Sequence, residues 1–212
     1  MKANSSLVPL VLENVREGDI LFLRIPRFLF RKVAEASNSW TNHVGIILKR
    51  EGQWVVAESA IPKVRFSPLE KFIARSQEGY LLQKRLKGGL TENQVQTIHQ
   101  EAEKRLGTWY HLGFDLDSKK VYCSKFVYQV YRAATGLEIG RVQRFRDLLN
   151  EHPSPKRAKR FWTLYYFGFI PWDRRTVTPA TQMADEKLET IFEGAAIQTS
   201  FSGEKLEGVS SS

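Results

Sequence analysis

With a single cysteine among 212 residues, the chain can form neither an internal disulfide nor an all-cysteine metal site, and Cys123 is left as a buried filler or a reactive thiol. No stretch approaches the ~20 consecutive apolar residues that a membrane-crossing helix needs. Met1 to Glu13 lacks the charged region, long apolar stretch and small-residue cleavage site of a secretory signal, so a cytoplasmic location is expected. Internal repeats, glycine-rich phosphate loops and paired metal-ligand motifs are also missing, which leaves nucleotide and zinc chemistry with little support. No cofactor is expected.

Apolar material is plentiful: 42% of residues are hydrophobic and 12% aromatic, enough at this length for one domain with a sizeable core. Residues 1–182 read as that domain. Residues 183–212 read as a weakly ordered acidic tail, since they carry six acidic against two basic side chains, a net of −4. The overall net charge of +9 then leaves +13 on the body, densest at Arg141, Arg144, Arg146, Lys156, Arg157, Lys159 and Arg160. Such a surface suits nucleic acid, an anionic membrane or an acidic substrate. No recognition motif accompanies the charge, so no nucleic-acid partner is expected, and a non-enzymatic basic module with Cys123 as filler ranks last.

Gly18-Asp19 precedes the apolar run Ile20 to Ile25, which Pro26 ends, and this predicts a first strand. Phe28 to Ala36 reads as a short helix. His43 to Leu48 and Gln53 to Glu58, rich in Val, Ile and Trp and separated by Lys49-Arg50-Glu51-Gly52, predict a hairpin. Val64 to Phe66 adds a short strand. Ser67 and Glu70 have capping-box spacing and would open a helix through Arg75, after which Tyr80 to Leu86 resumes strand character. Thr91 to Leu106 repeats apolar residues at helical spacing between a threonine cap and Gly107. Val121 to Ala134 does the same, with Cys123, Val127, Val130 and Ala134 on one face before Gly136, which puts Cys123 near a helix start. Arg144 to Asn150 and Lys156 to Phe167 predict further helices, and Phe169 to Thr178 reads as extended.

A cysteine attacks as the thiolate, so a catalytic one needs a helix N-terminus, a neighbouring imidazolium, or both. The helix field supplies about 0.3–1 kcal/mol at a surface and up to ~2 when partly buried, so a base must be found elsewhere. His43 begins an apolar strand directly after Thr41-Asn42, where its ring would project at the mouth of the sheet, with Gly45 leaving room beside it. Hairpin geometry brings in Glu58, because a two-residue loop sets it opposite Gly45 and a four-residue loop opposite His43, both on the histidine's face, whereas a three-residue loop without a bulge would send it to the other face. His111, in the loop before the helix, is a rival base. Tyr122 could offer substrate its phenol, or simply pack.

The order His43, Glu58, Cys123, with Tyr122-Cys123-Ser124 opening a helix and Gly18-Asp19-Ile20-Leu21-Phe22 at the start, resembles the circularly permuted NlpC/P60 cysteine hydrolases, most closely the YiiX/YebB-like branch. The resemblance covers Glu17 to about Gly136, with an echo at Thr178-Pro179. Two features depart from it: Lys125 stands where an acidic residue is more usual, and Trp109-Tyr110-His111 is a loose version of an aromatic-aspartate segment. It implies an α+β permuted papain-like fold, with an antiparallel sheet packed against the helix carrying the nucleophilic cysteine. It further implies nucleophile for Cys123, base for His43 and the orienting position for Glu58. Amide or peptide bonds of small amino-acid-containing molecules are the implied substrates. An acyl-transferring or thioesterase relative of the lecithin:retinol acyltransferase type, meeting an anionic surface through the basic body, is the alternative.

Overall fold

The computed structural model describes residues 7–194. At its centre lies a six-stranded antiparallel sheet in the order β4-β3-β2-β1-β5-β8. Its strands are β1 (Ile20–Leu23), β2 (His43–Arg50), β3 (Gln53–Ser59), β4 (Val64–Pro68), β5 (Leu81–Leu86) and β8 (Leu188–Gly194), while β6 (Gln143–Arg144) and β7 (Arg175–Thr176) form a separate ribbon. The helices are α1 (Leu7–Glu13), α2 (Phe28–Ala36), α3 (Leu69–Ile73), α4 (Glu92–Lys104), α5 (Cys123–Thr135), α6 (Phe145–Asn150), α7 (Pro155–Tyr165) and α8 (Pro179–Met183). The α+β class and the sheet packed on the cysteine helix are as the sequence implies.

Both faces of the central strands are covered, which is why β1 reads as the unbroken apolar run Ile-Leu-Phe-Leu rather than an alternation. Ile20, Phe22, Val44, Ile46 and Leu48 share one core with α4 and α5 through Ile98, Ala102, Phe126, Val127 and Val130. Leu21, Leu23, Ile47 and Val56 share the other with Leu7 and Val11 of α1 and Leu69, Phe72 and Ile73 of α3. The β2–β3 hairpin turns on two residues, Glu51 and Gly52, both at positive φ (49° and 78°), so that Arg50 faces Gln53 and Ile46 faces Ala57. One step further along that register Glu58 stands across from Gly45.

Two expectations are corrected. Ser67 does not cap a helix: α3 begins at Leu69 after Pro68, with no side-chain cap, because Ser67 lies in β4 and its hydroxyl donates instead to Glu58 Oε1 at 2.6 Å. Nor is the chain after Met183 a weakly ordered tail throughout, since Leu188–Gly194 completes the sheet beside β5 with Leu188 buried opposite Leu86. Its acidic side chains, Glu189 and Glu193, sit on an edge strand, where charge guards against unwanted pairing. The remainder of that call, residues 195–212, lies outside the described residues.

Gly45 carries a packing constraint that bears on the site. A Cβ there would come within 2.5 Å of Val56 Cγ1, 3.0 Å of the Ala57 carbonyl oxygen and 3.2 Å of the Phe72 ring. Gly45→Ala is therefore expected to lower unfolding free energy by roughly 1–3 kcal/mol, the usual cost of overpacking a core. Chemical denaturation of the two proteins measures it, and equal stability would mean that the sheet relaxes freely at this point.

Candidate active site

β2 delivers His43 to the rim of the sheet. Thr41 and Asn42 fix its approach: the Thr41 hydroxyl donates to Leu23 O (3.0 Å), while the Asn42 amide accepts from Ile25 N (2.8 Å) and donates to Ile25 O (3.1 Å). The imidazole is fully buried, tilted against Phe72 at 5.5 Å and edge-on to Phe30 at 6.1 Å. Two aromatic walls thus set the ring plane.

Nε2 of His43 lies 2.5 Å from Glu58 Oε2, as the hairpin register requires. Glu58 is itself fully buried and takes further hydrogen bonds from Ser67 Oγ (2.6 Å), from Arg75 Nη2 to both oxygens (2.8 Å each) and from Arg65 Nε (3.2 Å). Burial alone would raise the Glu58 pKa. The His43 hydrogen bond and charge, the Arg75 guanidinium and the Ser67 hydroxyl outweigh it, and the carboxyl is held well below the usual range.

Cys123 is the first residue of α5, with Tyr122 before it at the capping position and supplying no side-chain cap. No capping side chain takes the first-turn N–H groups, and that of Cys123 meets the Tyr110 phenol. The thiol sits 3.9 Å from the Asn42 carbonyl oxygen and interacts electrostatically with the His43 ring, whose Nδ1 is buried and makes no hydrogen bond. Burial would lower the His43 pKa, but the thiol and Glu58 together more than offset it, and the net shift is upward. The structure thus brings Cys123, His43 and Glu58 together, with Glu58 at Nε2 of the imidazole and Cys123 beside the ring.

Tyr122 is placed differently from a phenol offered to substrate. Its hydroxyl pairs with Thr176 Oγ1 at 3.0 Å and accepts from Val177 N at 3.2 Å, so only the ring faces the cleft beside the thiol. That cleft is narrow, a cavity of about 20 Å³ with room for little more than one water, and is walled by Phe114, Tyr122, Phe145, Leu148 and Trp162 around Cys123. His111 makes no contact with the thiol; it lies over Gly113 near Arg174, with its pKa lowered by burial. His99 pairs with Glu17 at 2.7 Å, and His152 accepts from Ser154 N at 2.8 Å.

Sequence reasoning missed several members. Tyr110 is buried against the site: its phenol lies beside the Cys123 thiol and backbone N–H, and burial, followed by the negative charge available on that thiol, pushes its pKa well above normal. Bridges from Trp109 to Lys63 and from Tyr110 to Val121 hold it there. No periodicity marks a tyrosine in an irregular segment. Arg65, Ser67 and Arg75 were equally hidden, because nothing local to them announces a shared carboxylate. Lys125 turns away from the thiol, its fully buried ammonium bonded to the carbonyls of Asp115 (3.3 Å), Ser118 and Lys120 (2.9 Å), so it braces the loop that leads into α5.

A family model described as "Permuted papain-like amidase enzyme, YaeF/YiiX, C92 family" matches residues 14–192. YiiX of Escherichia coli strain K12, itself described as uncharacterized, is 28% identical over 186 residues, 87% of this chain and 89% of the relative. A crystal structure of yiiX from Escherichia coli O157:H7, described as a metalloprotein, superposes with a TM-score of 0.77 at 27% identity, covering 85% of this chain and 98% of that one. Among the described residues here, no group of three or more His, Cys, Asp or Glu side chains could hold a metal, and the Glu58 oxygens are already committed to four partners. These residues do not fit a metal centre.

Because its folded pKa is depressed, Glu58 contributes stability that is present above its unfolded value of about 4.3 and is lost as pH falls below it. Glu58→Gln, which leaves two guanidiniums and an imidazole without their counter-charge, is expected to cost about 3 kcal/mol near pH 7, with the difference from wild type shrinking below about pH 4. Urea unfolding at both pH values measures this, and a difference independent of pH would remove the carboxylate's charge from the account.

Proposed function

Since the chain belongs to the permuted papain-like amidase family, YaeF/YiiX, C92, and is a hydrolase of the cysteine peptidase/amidase class, we propose that it cleaves amide bonds of small amino-acid-containing molecules through an acyl-enzyme on Cys123. The observation that carries this reading is the buried Cys123–His43–Glu58 set, with the 2.5 Å contact between imidazole and carboxylate. His43 takes the thiol proton at Nδ1, and Sγ adds to the carbonyl carbon. The resulting oxyanion is received by the Cys123 backbone N–H and the Tyr110 hydroxyl beside it. As the C–N bond breaks, the imidazolium passes its proton to the departing amine, leaving a thioester. Water then attacks, His43 takes a proton from it, and the thiolate leaves with the acid as product. Glu58 fixes the tautomer and stabilises the imidazolium, and the Arg75–Ser67–Arg65 set holds Glu58.

A second reading, lipid acyl transfer or thioester hydrolysis, is favoured by one observation: the walls beside Cys123 are aromatic and aliphatic. Contact with an anionic surface belongs to that reading. Leu164, Phe167 and Phe169, at and just past the C-terminal end of α7, are 79%, 90% and 86% exposed, and Lys156, Arg157 and Arg160, nearer the start of that helix, have no carboxylate partner among the described residues. Flotation with anionic vesicles tests that contact.

At about pH 6, alkylation of Cys123 by iodoacetamide is expected to fall at least ~10-fold in His43→Ala and to persist in His111→Ala, because only the former removes the thiolate's partner. The reverse result would reassign the base. Turnover should vanish in Cys123→Ala and fall less in Glu58→Gln, where an amide still orients the ring but supplies no charge. Intact-protein mass spectrometry of wild type mixed with candidate amides should reveal a substrate-derived acyl adduct on Cys123. Turnover that survives Cys123→Ala would end the proposal.

A further inference from the structure

The thiol of Cys123 is closed in. Its cavity has room for little more than one water, so no carbonyl compound reaches the sulfur until a wall moves. Trp162 forms part of that wall, and it belongs to α7, a helix set between two breaks in the chain: His152-Pro153-Ser154-Pro155 before it and Gly168 (φ 96°) after it. Trp162 also lines an open cleft of about 430 Å³ between α2 and α7. Cavity and cleft share Ala36 and Trp162, and an outward shift of α7 would join them.

The outer face of α7 is cationic and ends in an apolar tip. Lys156, Arg157, Lys159 and Arg160 meet no carboxylate among the described residues, and the helix itself holds no acidic side chain. Arg160 and Arg157 share a face with the exposed Leu164 and precede it along the axis by about 6 and 10 Å. Just beyond, Phe167 and Phe169 are exposed, and Leu112 joins them because the Tyr165 hydroxyl donates to its carbonyl oxygen (2.9 Å). Phe167 also sits at φ 52°, a left-handed conformation in which helices usually end on glycine and which bulky side chains avoid, yet its ring stays in solvent. A ring that is buried only on docking accounts for both features. An apolar tip with cations one to two turns behind it can sink into the acyl region of a bilayer while the cations meet lipid phosphates. Among the described residues no helix is long and apolar enough to cross a membrane, so the contact is with its surface. A second copy of this chain suits the tip less well, because two such helices would set like charges together.

Resting on the anionic-surface contact named above, we propose that α7 is a lid opened by an anionic lipid bilayer: docking of Leu164, Phe167 and Phe169 draws the helix outward, carries Trp162 with it and joins the thiol cavity to the α2–α7 cleft. That cleft counts Arg157, Arg160 and Leu164 among its lining, so it then opens on the bilayer itself. No bond forms or breaks in this step. Cys123 is shielded in solution and uncovered at the surface.

The test uses the full-length protein with vesicles of phosphatidylcholine alone and vesicles in which about one-third of the lipid is phosphatidylglycerol. The protein should sediment with the anionic vesicles only, and less so as salt is raised. Iodoacetamide should alkylate Cys123 at least ~10-fold faster in bound than in free protein, the gain available when an open state populated below about 10% becomes the main one. Phe167→Asn combined with Phe169→Ser should abolish both effects without lowering stability, since asparagine adopts the left-handed conformation readily and neither ring is packed. Arg157→Gln should weaken vesicle binding roughly 5-fold. Sedimentation without faster alkylation would overturn the lid and leave the surface contact standing. No sedimentation with anionic vesicles, or equal sedimentation with neutral ones, would overturn both, as would effects that survive the double substitution. A dimer that the same two substitutions dissolve would assign the tip to a second copy and overturn the proposal. None of these readouts requires turnover, so they are independent of whether the bond cleaved is an amide or a thioester.

Discussion

A carboxylate with no access to water must find its solvation in the protein, and Glu58 finds it in four side chains drawn from three places: the β2 histidine, a serine and an arginine on β4, and an arginine just past α3. The hairpin alone would bring Glu58 to the correct face. What fixes its oxygens is the competition among those donors, with Arg75 spanning both at 2.8 Å and Ser67 occupying Oε1, so that Oε2 turns to the imidazole. Remove the charge and the cations around it lose the anion that makes their burial tolerable. Stability and chemistry at this point are therefore the same interaction, and a substitution that lowers turnover must also be assessed for folding.

The remaining catalytic geometry follows from where elements end. His43 is the first residue of its strand and Cys123 the first of its helix, so each side chain emerges at a terminus rather than in mid-surface. Their meeting requires α5 to lie across the sheet with its N-terminus at the rim, and the packing of Phe126, Val127 and Val130 on Val44 and Ile46 holds it there. Gly45 lets Phe72 approach closely enough to pin the imidazole. Lys125 acts from the opposite direction, satisfying loop carbonyls with an ammonium and so steadying the segment that enters the helix. These are positioning roles, and none touches the reacting atoms.

Much of this was legible in the sequence because it is periodic or local. The two amphipathic helices, the hairpin and the side of the sheet shared by His43 and Glu58 all follow from spacing. Ser67 shows where such reading fails: its spacing to Glu70 fits a cap, yet a buried carboxylate nearby is a stronger claimant for its hydroxyl than the backbone of a five-residue helix. Leu188 to Gly194 fails for a related reason, because an edge strand protected by acidic side chains has the composition of a solvated tail. Tyr110 and the two arginines on Glu58 come from irregular segments or exposed strand positions, and only the tertiary fold makes them neighbours of the site.

At the centre of the account is an imidazolium stabilised on one side by Glu58 and on the other by the Cys123 thiol. An NMR pH titration of the His43 ring nitrogens in the intact protein observes that species directly. The account predicts a ring that keeps both protons to a pH above the ordinary histidine value of about 6.5, with Glu58→Gln moving the transition downward. A His43 ring that loses its proton at or below that value in the wild type, unaffected by Glu58→Gln, would contradict it.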